Sequence, residues 1–142
     1  MSKSTVLVVL GPTSSGKSAI AVRLAKKFAG EIISADSRQV YRGMNLGSGK
    51  ITSKEMAGIP HHLLDVVSPT KTFSVAQYQR RAAQAIREIL WRGKIPIVCG
   101  GTGLYMDALL HDFPLPAVKP NAALRKKLER MSTEELFREL RG

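Results

Sequence analysis

An α/β/α domain built on a parallel sheet is predicted by three observations. Short apolar runs rich in β-branched residues alternate with segments of helical periodicity. The first run, Thr5–Leu10, is apolar without interruption, as expected of a strand buried on both faces of a parallel sheet. That run opens directly into a glycine-bracketed octet, Gly11-Pro12-Thr13-Ser14-Ser15-Gly16-Lys17-Ser18, and then into a helix.

The elements follow in order. The first helix has Ile20, Leu24 and Phe28 four residues apart as its apolar stripe, with Gly30 as its C-cap. A second short strand, Glu31–Ser34, delivers Ala35-Asp36-Ser37 into a loop. Arg38–Ser53, rich in glycine and polar residues, predicts a mobile loop with at most one helical turn. His62–Val67 predicts a third strand, broken by Ser68-Pro69-Thr70. Ser74 and Gln77 have capping-box spacing at the start of the clearest helix. Its stripe is Tyr78, Ala82, Ala85, Ile86 and Ile89, its water-facing side carries Arg80, Arg81 and Arg87, and Gly93 closes it. Ile95–Cys99 is the fourth strand, and Gly100-Gly101-Thr102-Gly103 turns the chain into a helix over about Leu104–Leu110. Pro114, Pro116 and Pro120 mark a linker, which divides a core of residues 1–113 from residues 114–142. Beyond it Leu124, Leu128 and Met131 share a helix face with Asn121 as cap, and Ser132 with Glu135 marks a second capping box, before Leu136 and Leu140.

The 142 residues carry a net charge of +11 and 44% hydrophobic residues, which fits one globular domain. So basic a chain suits a polyanion, either nucleic acid or a multiply phosphorylated substrate, although solvated surface charge alone has the same composition. No apolar run is long enough to span a bilayer, and the N-terminus lacks the pattern of a signal peptide, so the expectation is a cytoplasmic protein with no membrane partner. A single cysteine, Cys99, excludes an internal disulfide, and its apolar neighbours make it a core residue rather than a nucleophile. His61 and His62 adjoin, so their side chains do not converge on one metal. Tyr41, Trp91 and Tyr105 are too scattered to suggest a base-stacking platform.

The octet matches G-x-x-x-x-G-K-S in its required context. Gly11 and Gly16 let the backbone curl so that successive N–H groups face phosphate oxygens, and the following helix adds its positive end. Lys17 supplies a point charge, and the Ser18 hydroxyl can ligate Mg²⁺. Asp36 leaves the second strand on the ligand side of the sheet and suits a general base, a Mg²⁺ partner through water, or a loop cap. Thr102 after the fourth strand suits a substrate contact or a helix N-cap. No strand ends in the usual apolar run plus Asp, unless Asp36 or Asp65 substitutes, which points away from a motor ATPase and towards a small transferase or kinase of the P-loop NTPase-like class.

In this order, Gly11–Ser18, then Ile33-Ser34-Ala35-Asp36-Ser37-Arg38-Gln39-Val40-Tyr41, Pro60-His61-His62-Leu63-Leu64-Asp65, Phe73-Ser74 and Val98-Cys99-Gly100-Gly101-Thr102-Gly103-Leu104-Tyr105 resemble the tRNA dimethylallyltransferase (tRNA isopentenyltransferase) family. The resemblance runs from about residue 5 to the end, with Leu124–Leu140 similar to the start of the family's helical, tRNA-binding insertion. It implies transfer of the dimethylallyl group of dimethylallyl diphosphate to the exocyclic amine of the adenine just 3′ of the anticodon in tRNA. By resemblance, Gly11, Pro12, Thr13, Ser14, Ser15, Gly16, Lys17 and Ser18 hold the diphosphate, with Mg²⁺ on Ser18. Asp36 then matches the general base and Thr102 a contact to the bridging oxygen or incoming nucleotide, with Lys17 aiding diphosphate departure. Asp36, Ser37, Arg38, Gln39 and Thr102 match the segment that contacts the flipped-out adenine of tRNA. Family members are about twice this length and monomeric by the same resemblance. A chain ending within the insertion is expected to bind diphosphate but to transfer weakly, or to need a completing partner. The alternatives are an ATP-binding small-molecule kinase, an adenylate isopentenyltransferase acting on a free nucleotide, and an inactive phosphate-binding fragment.

Overall fold

The structure, a computed structural model, describes residues 5–111, 118 and 120–141. Pro114, Pro116 and the boundary at 113/114 lie outside the described residues. In chain order the elements are β1 (Leu7–Leu10), α1 (Lys17–Phe28), β2 (Gly30–Ala35), α2 (Ser53–Met56), β3 (His61–His62), α3 (Val75–Trp91), β4 (Ile95–Gly100), α4 (Gly103–Leu110), α5 (Ala122–Leu128) and α6 (Thr133–Arg141). All strand pairings are parallel, in the order β1-β4-β2-β3. The fold is therefore the parallel α/β architecture that the alternation of elements predicts.

Two apolar clusters, one on each face, make the three layers. On one side α1 sets Ala21, Val22 and Ala25 against Ile32, Ile97 and Cys99. On the other, Tyr78, Ala82, Ala85 and Ile89 of α3 and Tyr105 and Met106 of α4 meet Ile33, Ala35 and Val98. The central strands β2 and β4 are thus covered on both faces, and five of the six β4 positions are buried. The Tyr78 and Tyr105 rings stack at 4.0 Å between centroids, 11° from parallel, an arrangement that contributes about 1 kcal/mol beyond area burial.

The α3 boundaries follow the sequence signals closely. The Ser74 and Gln77 side chains cap reciprocally, and Gly93, at φ 68°, takes the left-handed turn after the helix. Asn121 caps α5, and Ser132 with Glu135 caps α6. No helix of the described residues is long and apolar enough to cross a membrane.

Several expectations change. β1 is not buried on both faces: Leu7 and Val9 pack on the α1 side, while Val8 and Leu10 are 41% and 63% exposed. Among the described residues it is an edge strand, and α3, with α4 packed against it, lies over β2 and β4 instead. In α1 the packed face is Ala21, Val22 and Ala25 with Leu24 of the predicted stripe at its border, while Ile20 and Phe28 are each 42% exposed, because small residues allow the helix close to the sheet. Gly30 does not cap α1. Ala29 does so in a left-handed conformation, and Gly30 begins β2, where a Cβ would lie 2.6 Å from the Ile95 carbonyl oxygen. The third strand shrinks to His61–His62, because Leu63 and Asp65 adopt positive φ and break the extended run; Val67 re-joins as a single bridge to Tyr41. Met131 falls beyond the end of α5.

Candidate functional site

The site forms where three strands end together. Leu10 pairs with Gly100 and Ala35 pairs with Gly100, so Gly11, Asp36 and Gly101 leave the sheet at one level. Gly100 has no alternative, since a Cβ there would run into the Ala35 backbone. A Cβ on Gly101 would come within 3.0 Å of the Gly11 carbonyl oxygen and 3.8 Å of Lys17 Nζ, so the double glycine lets this loop lie against the first one.

The octet folds as its pattern predicts. Ser14 (φ 64°) and Gly16 (φ 80°) take left-handed conformations, Gly16 serving as the N-cap of α1 without a side-chain hydrogen bond. The first-turn amides of α1 are thus available to an anion rather than to a capping oxygen. Lys17 Nζ donates to the Pro12 carbonyl at 2.9 Å, which folds the ammonium back over the loop. Asp36 Oδ1 accepts from the Arg38 and Gln39 amides at 2.8 and 3.2 Å. One carboxylate oxygen is therefore the loop cap, and Oδ2 has no donor among the described residues.

Thr102 does not cap α4 through its side chain. Its Oγ1 accepts from the Ser37 amide at 3.0 Å and lies 3.5 Å from Ser37 Oγ, while its amide donates to the Ala35 carbonyl at 3.2 Å. The β2 and β4 loops are stitched together across 65 residues of sequence.

Thr13, Ser14, Gly16, Lys17, Ser18, Asp36 and Gln39 line one cleft of about 780 Å³, whose far wall is the segment Ser48–Thr52 with Glu55 and Ala57. Ser37, Arg38 and Thr102 adjoin this cleft in sequence or by hydrogen bond but do not line it. Gln39 Nε2 gives its protons to the Ser48 and Gly49 carbonyls, each at 3.2 Å, leaving Oε1 without a donor among the described residues. Cys99 is buried, and burial pushes its thiol up to about 11 against the opposing pull of Lys17, so it stays a protonated core residue.

Three features were not anticipated from the sequence. Thr52 and Glu55 form a full capping box on α2, a spacing visible in the sequence. Lys50 pairs with Asp65 at 2.6 Å inside what the sequence predicts as a mobile loop. At the opposite end of the sheet, buried Glu31 bonds Arg92 and His62, each at 2.7 Å. Burial raises the Glu31 carboxyl, but hydrogen bonds from Arg92 and His62 outweigh it and leave the group below the usual carboxylate range. His61 differs from its neighbour: desolvation lowers its pKa, and its Nδ1 bonds the Ile59 carbonyl at 2.8 Å.

For a divalent cation, the cleft offers the Ser18 hydroxyl with the Asp36 carboxylate as a second oxygen on the same cleft. This hard-oxygen set fits Mg²⁺, which keeps several waters and takes few protein ligands when phosphates supply the rest.

The model of the IPP transferase family matches residues 39–142, a stretch that begins after the phosphate loop and so does not depend on it. The tRNA dimethylallyltransferase of Exiguobacterium sibiricum is 50% identical over 135 residues, covering 95% of this chain and 43% of that protein. The Streptococcus sanguinis tRNA dimethylallyltransferase is 46% identical over 141 residues, covering 97% and 48%. Among solved structures, the full-length tRNA isopentenylpyrophosphate transferase of Bacillus halodurans superposes with a TM-score of 0.79 at 47% identity, covering 89% of this chain and 42% of that one. A eukaryotic dimethylallyltransferase acting on tRNA gives 0.77 at 36% identity, covering 89% and 31%. The chain thus spans less than half the length of these relatives. With the family match extending over residues 39–142, on a fold shared with solved members, this chain belongs to the IPP transferase family.

Proposed function

We propose that this chain supplies the diphosphate-binding and acceptor-facing part of a tRNA dimethylallyltransferase, which moves the dimethylallyl group of dimethylallyl diphosphate to the exocyclic amine of the adenine 3′ of the anticodon. The observation that carries this is the pairing of a phosphate loop with two acceptor atoms, Asp36 Oδ2 and Gln39 Oε1, that have no donor among the described residues and belong to residues lining one cleft. An exocyclic amine brings N–H donors, which is the complement of two unoccupied acceptors.

The α1 amides and Lys17 hold the diphosphate and stabilise the charge that builds as the C–O bond to it breaks. The amine nitrogen forms the new C–N bond, and Asp36 Oδ2 takes the proton released. Because Oδ1 is already spent on the Arg38 and Gln39 amides, the carboxylate is oriented before substrate arrives. Thr102, tied to Ser37, keeps the acceptor loop at a fixed distance from the phosphate loop. Ser18 would hold Mg²⁺ together with substrate oxygens. Such a cation would supply positive charge to offset that of the leaving diphosphate. Ser37 and Arg38 extend the acceptor side towards tRNA. We assign residues 1–113 to the core and residues 114–142 to the beginning of the helical tRNA-binding insertion, in which Arg125, Lys126 and Lys127 of α5 offer contacts to phosphates of the tRNA backbone. The protein works in the cytoplasm.

The test is incubation of the chain with Mg²⁺, labelled dimethylallyl diphosphate and unmodified tRNA, with AMP as rival acceptor and Lys17→Ala as control. Label on tRNA that disappears in the control supports the assignment. Label on AMP instead moves it to a free-nucleotide transferase. No label on either, with inorganic diphosphate still bound, overturns catalysis by this chain alone.

A further inference from the structure

Gln39 is gripped on three sides. Its amide donates to Asp36 Oδ1 at 3.2 Å, its carbonyl accepts from the Asp65 amide at 3.2 Å, and its carboxamide donates to the Ser48 and Gly49 carbonyls at 3.2 Å each. The residue after Gly49 is Lys50. Its side chain is only 6% exposed, and its ammonium donates to Asp65 Oδ1 at 2.6 Å and to the Tyr41 carbonyl at 2.8 Å. The Asp65 carbonyl in turn accepts from Arg42 Nε at 2.8 Å.

One residue, Asp65, thus joins both sides of the loop, through its amide to Gln39 and through its carboxylate to the segment that orients the Gln39 side chain. Asp65 (φ 54°) and Leu63 (φ 64°) are both left-handed, a conformation that non-glycine residues keep only where the surroundings over-determine it. The pair is also one-sided in its burial: Lys50 is enclosed, whereas the Asp65 side chain is 47% exposed. Removing the ammonium therefore leaves a solvated carboxylate rather than an orphaned buried charge, and the fold has little reason to fail.

We propose that Lys50 and Asp65 are positioning residues for Gln39. Their ion pair fixes the two loop carbonyls that occupy Gln39 Nε2, so the carboxamide offers only its Oε1 acceptor and the site selects ligands bringing an N–H donor, such as an amino-purine, over those bringing an acceptor. The choice of ligand rests on the function proposed above, while the positioning can be measured without it.

The measurement is hydrogen exchange of the Gln39 side-chain amide by ¹⁵N NMR in the unsubstituted chain, Lys50→Met, Lys50→Arg and Asp65→Asn. Gln79, whose Nε2 donates to the Ala108 carbonyl on the α3–α4 side, is the internal reference. Lys50→Met and Asp65→Asn should each speed Gln39 exchange by about 10-fold or more with Gln79 unmoved, and Lys50→Arg should recover most of the protection. Unchanged Gln39 exchange overturns the proposal, as does a rise shared equally by Gln79, which would mark general loosening. Should Lys50→Met not fold, Asp65→Asn and Lys50→Arg decide on the same readout. Where transfer to tRNA is measurable, Lys50→Met should also erode the preference for adenine over amine-free purine at the acceptor position while leaving the KM for the diphosphate donor in place. Equal preference in both forms overturns the specificity role. Absence of transfer in every form would instead remove the proposed function and leave the exchange result standing.

Discussion

The two ends of β2 each carry a carboxylate, and they are finished differently. At its start, Glu31 is buried and bonded to both Arg92 and His62. Just beyond its end, Asp36 uses Oδ1 for its own loop and leaves Oδ2 without a donor among the described residues. The sheet is the same and the strand is the same. What differs is how many of the two oxygens are engaged. Glu31 is bonded through both oxygens and serves the fold, while Asp36, bonded through one, is held in orientation with the other available for chemistry.

This contrast can be broken at either end. The largest effect is expected from Asp36→Asn, which keeps the Oδ1 acceptor and so the loop, but removes the base: the transfer rate should fall about 1000-fold, ~4 kcal/mol, with little change in thermal stability. Single-turnover transfer to tRNA and a melting curve measure the two halves, and equal rates would return Asp36 to a loop cap. Lys17→Ala should weaken binding of inorganic diphosphate by roughly 100-fold, by calorimetry, again without loss of fold. Glu31→Gln reverses the pattern, costing about 2 kcal/mol in urea unfolding while diphosphate binding is kept, the cost being moderated because Arg92 is partly exposed. Because the Glu31 carboxyl is lowered on folding, its contribution is complete above the ordinary carboxylate range and is lost as pH falls through the lowered value. The acid limb of a stability profile should therefore be shallower in Glu31→Gln than in the parent, and parallel profiles would show that the pair is not the source. The smallest change is a gain: the Tyr78 hydroxyl is buried without a partner among the described residues, so Tyr78→Phe should raise stability by ~1 kcal/mol.

The same contrast explains what the sequence makes legible. Local signals carried well: the phosphate loop, the Ser74 and Ser132 capping boxes, the α3 stripe and the fourth strand all depend on residues within a few positions of one another. The position of Asp36 after the second strand was legible too, but its division into one bound and one free oxygen depends on the following turn. Long-range pairing was not legible. Nothing local in Glu31 announces Arg92, 61 residues away, or in Lys50 announces Asp65. Burial by position failed for a related reason: the run from Thr5 reads as doubly buried, but whether a strand is central or at an edge is decided by strand order. The His62–Val67 run reads as a strand until the positive φ angles of Leu63 and Asp65 divert it towards the Gln39 loop.

Gly100 has a consequence for how such a site can vary. With the Ala35 backbone occupying the place of its missing side chain, the spacing between the loop that carries Asp36 and the loop that carries Thr102 is set by main chain against main chain. No rotamer can absorb a change there. The two strands act as a caliper whose opening is the inter-strand spacing itself, and side chains at its tips can be exchanged without resetting the gauge. A methyl group inserted at Gly100 would open the jaws, and displacements of about 1 Å at a reacting centre are enough to cost some 100-fold in rate.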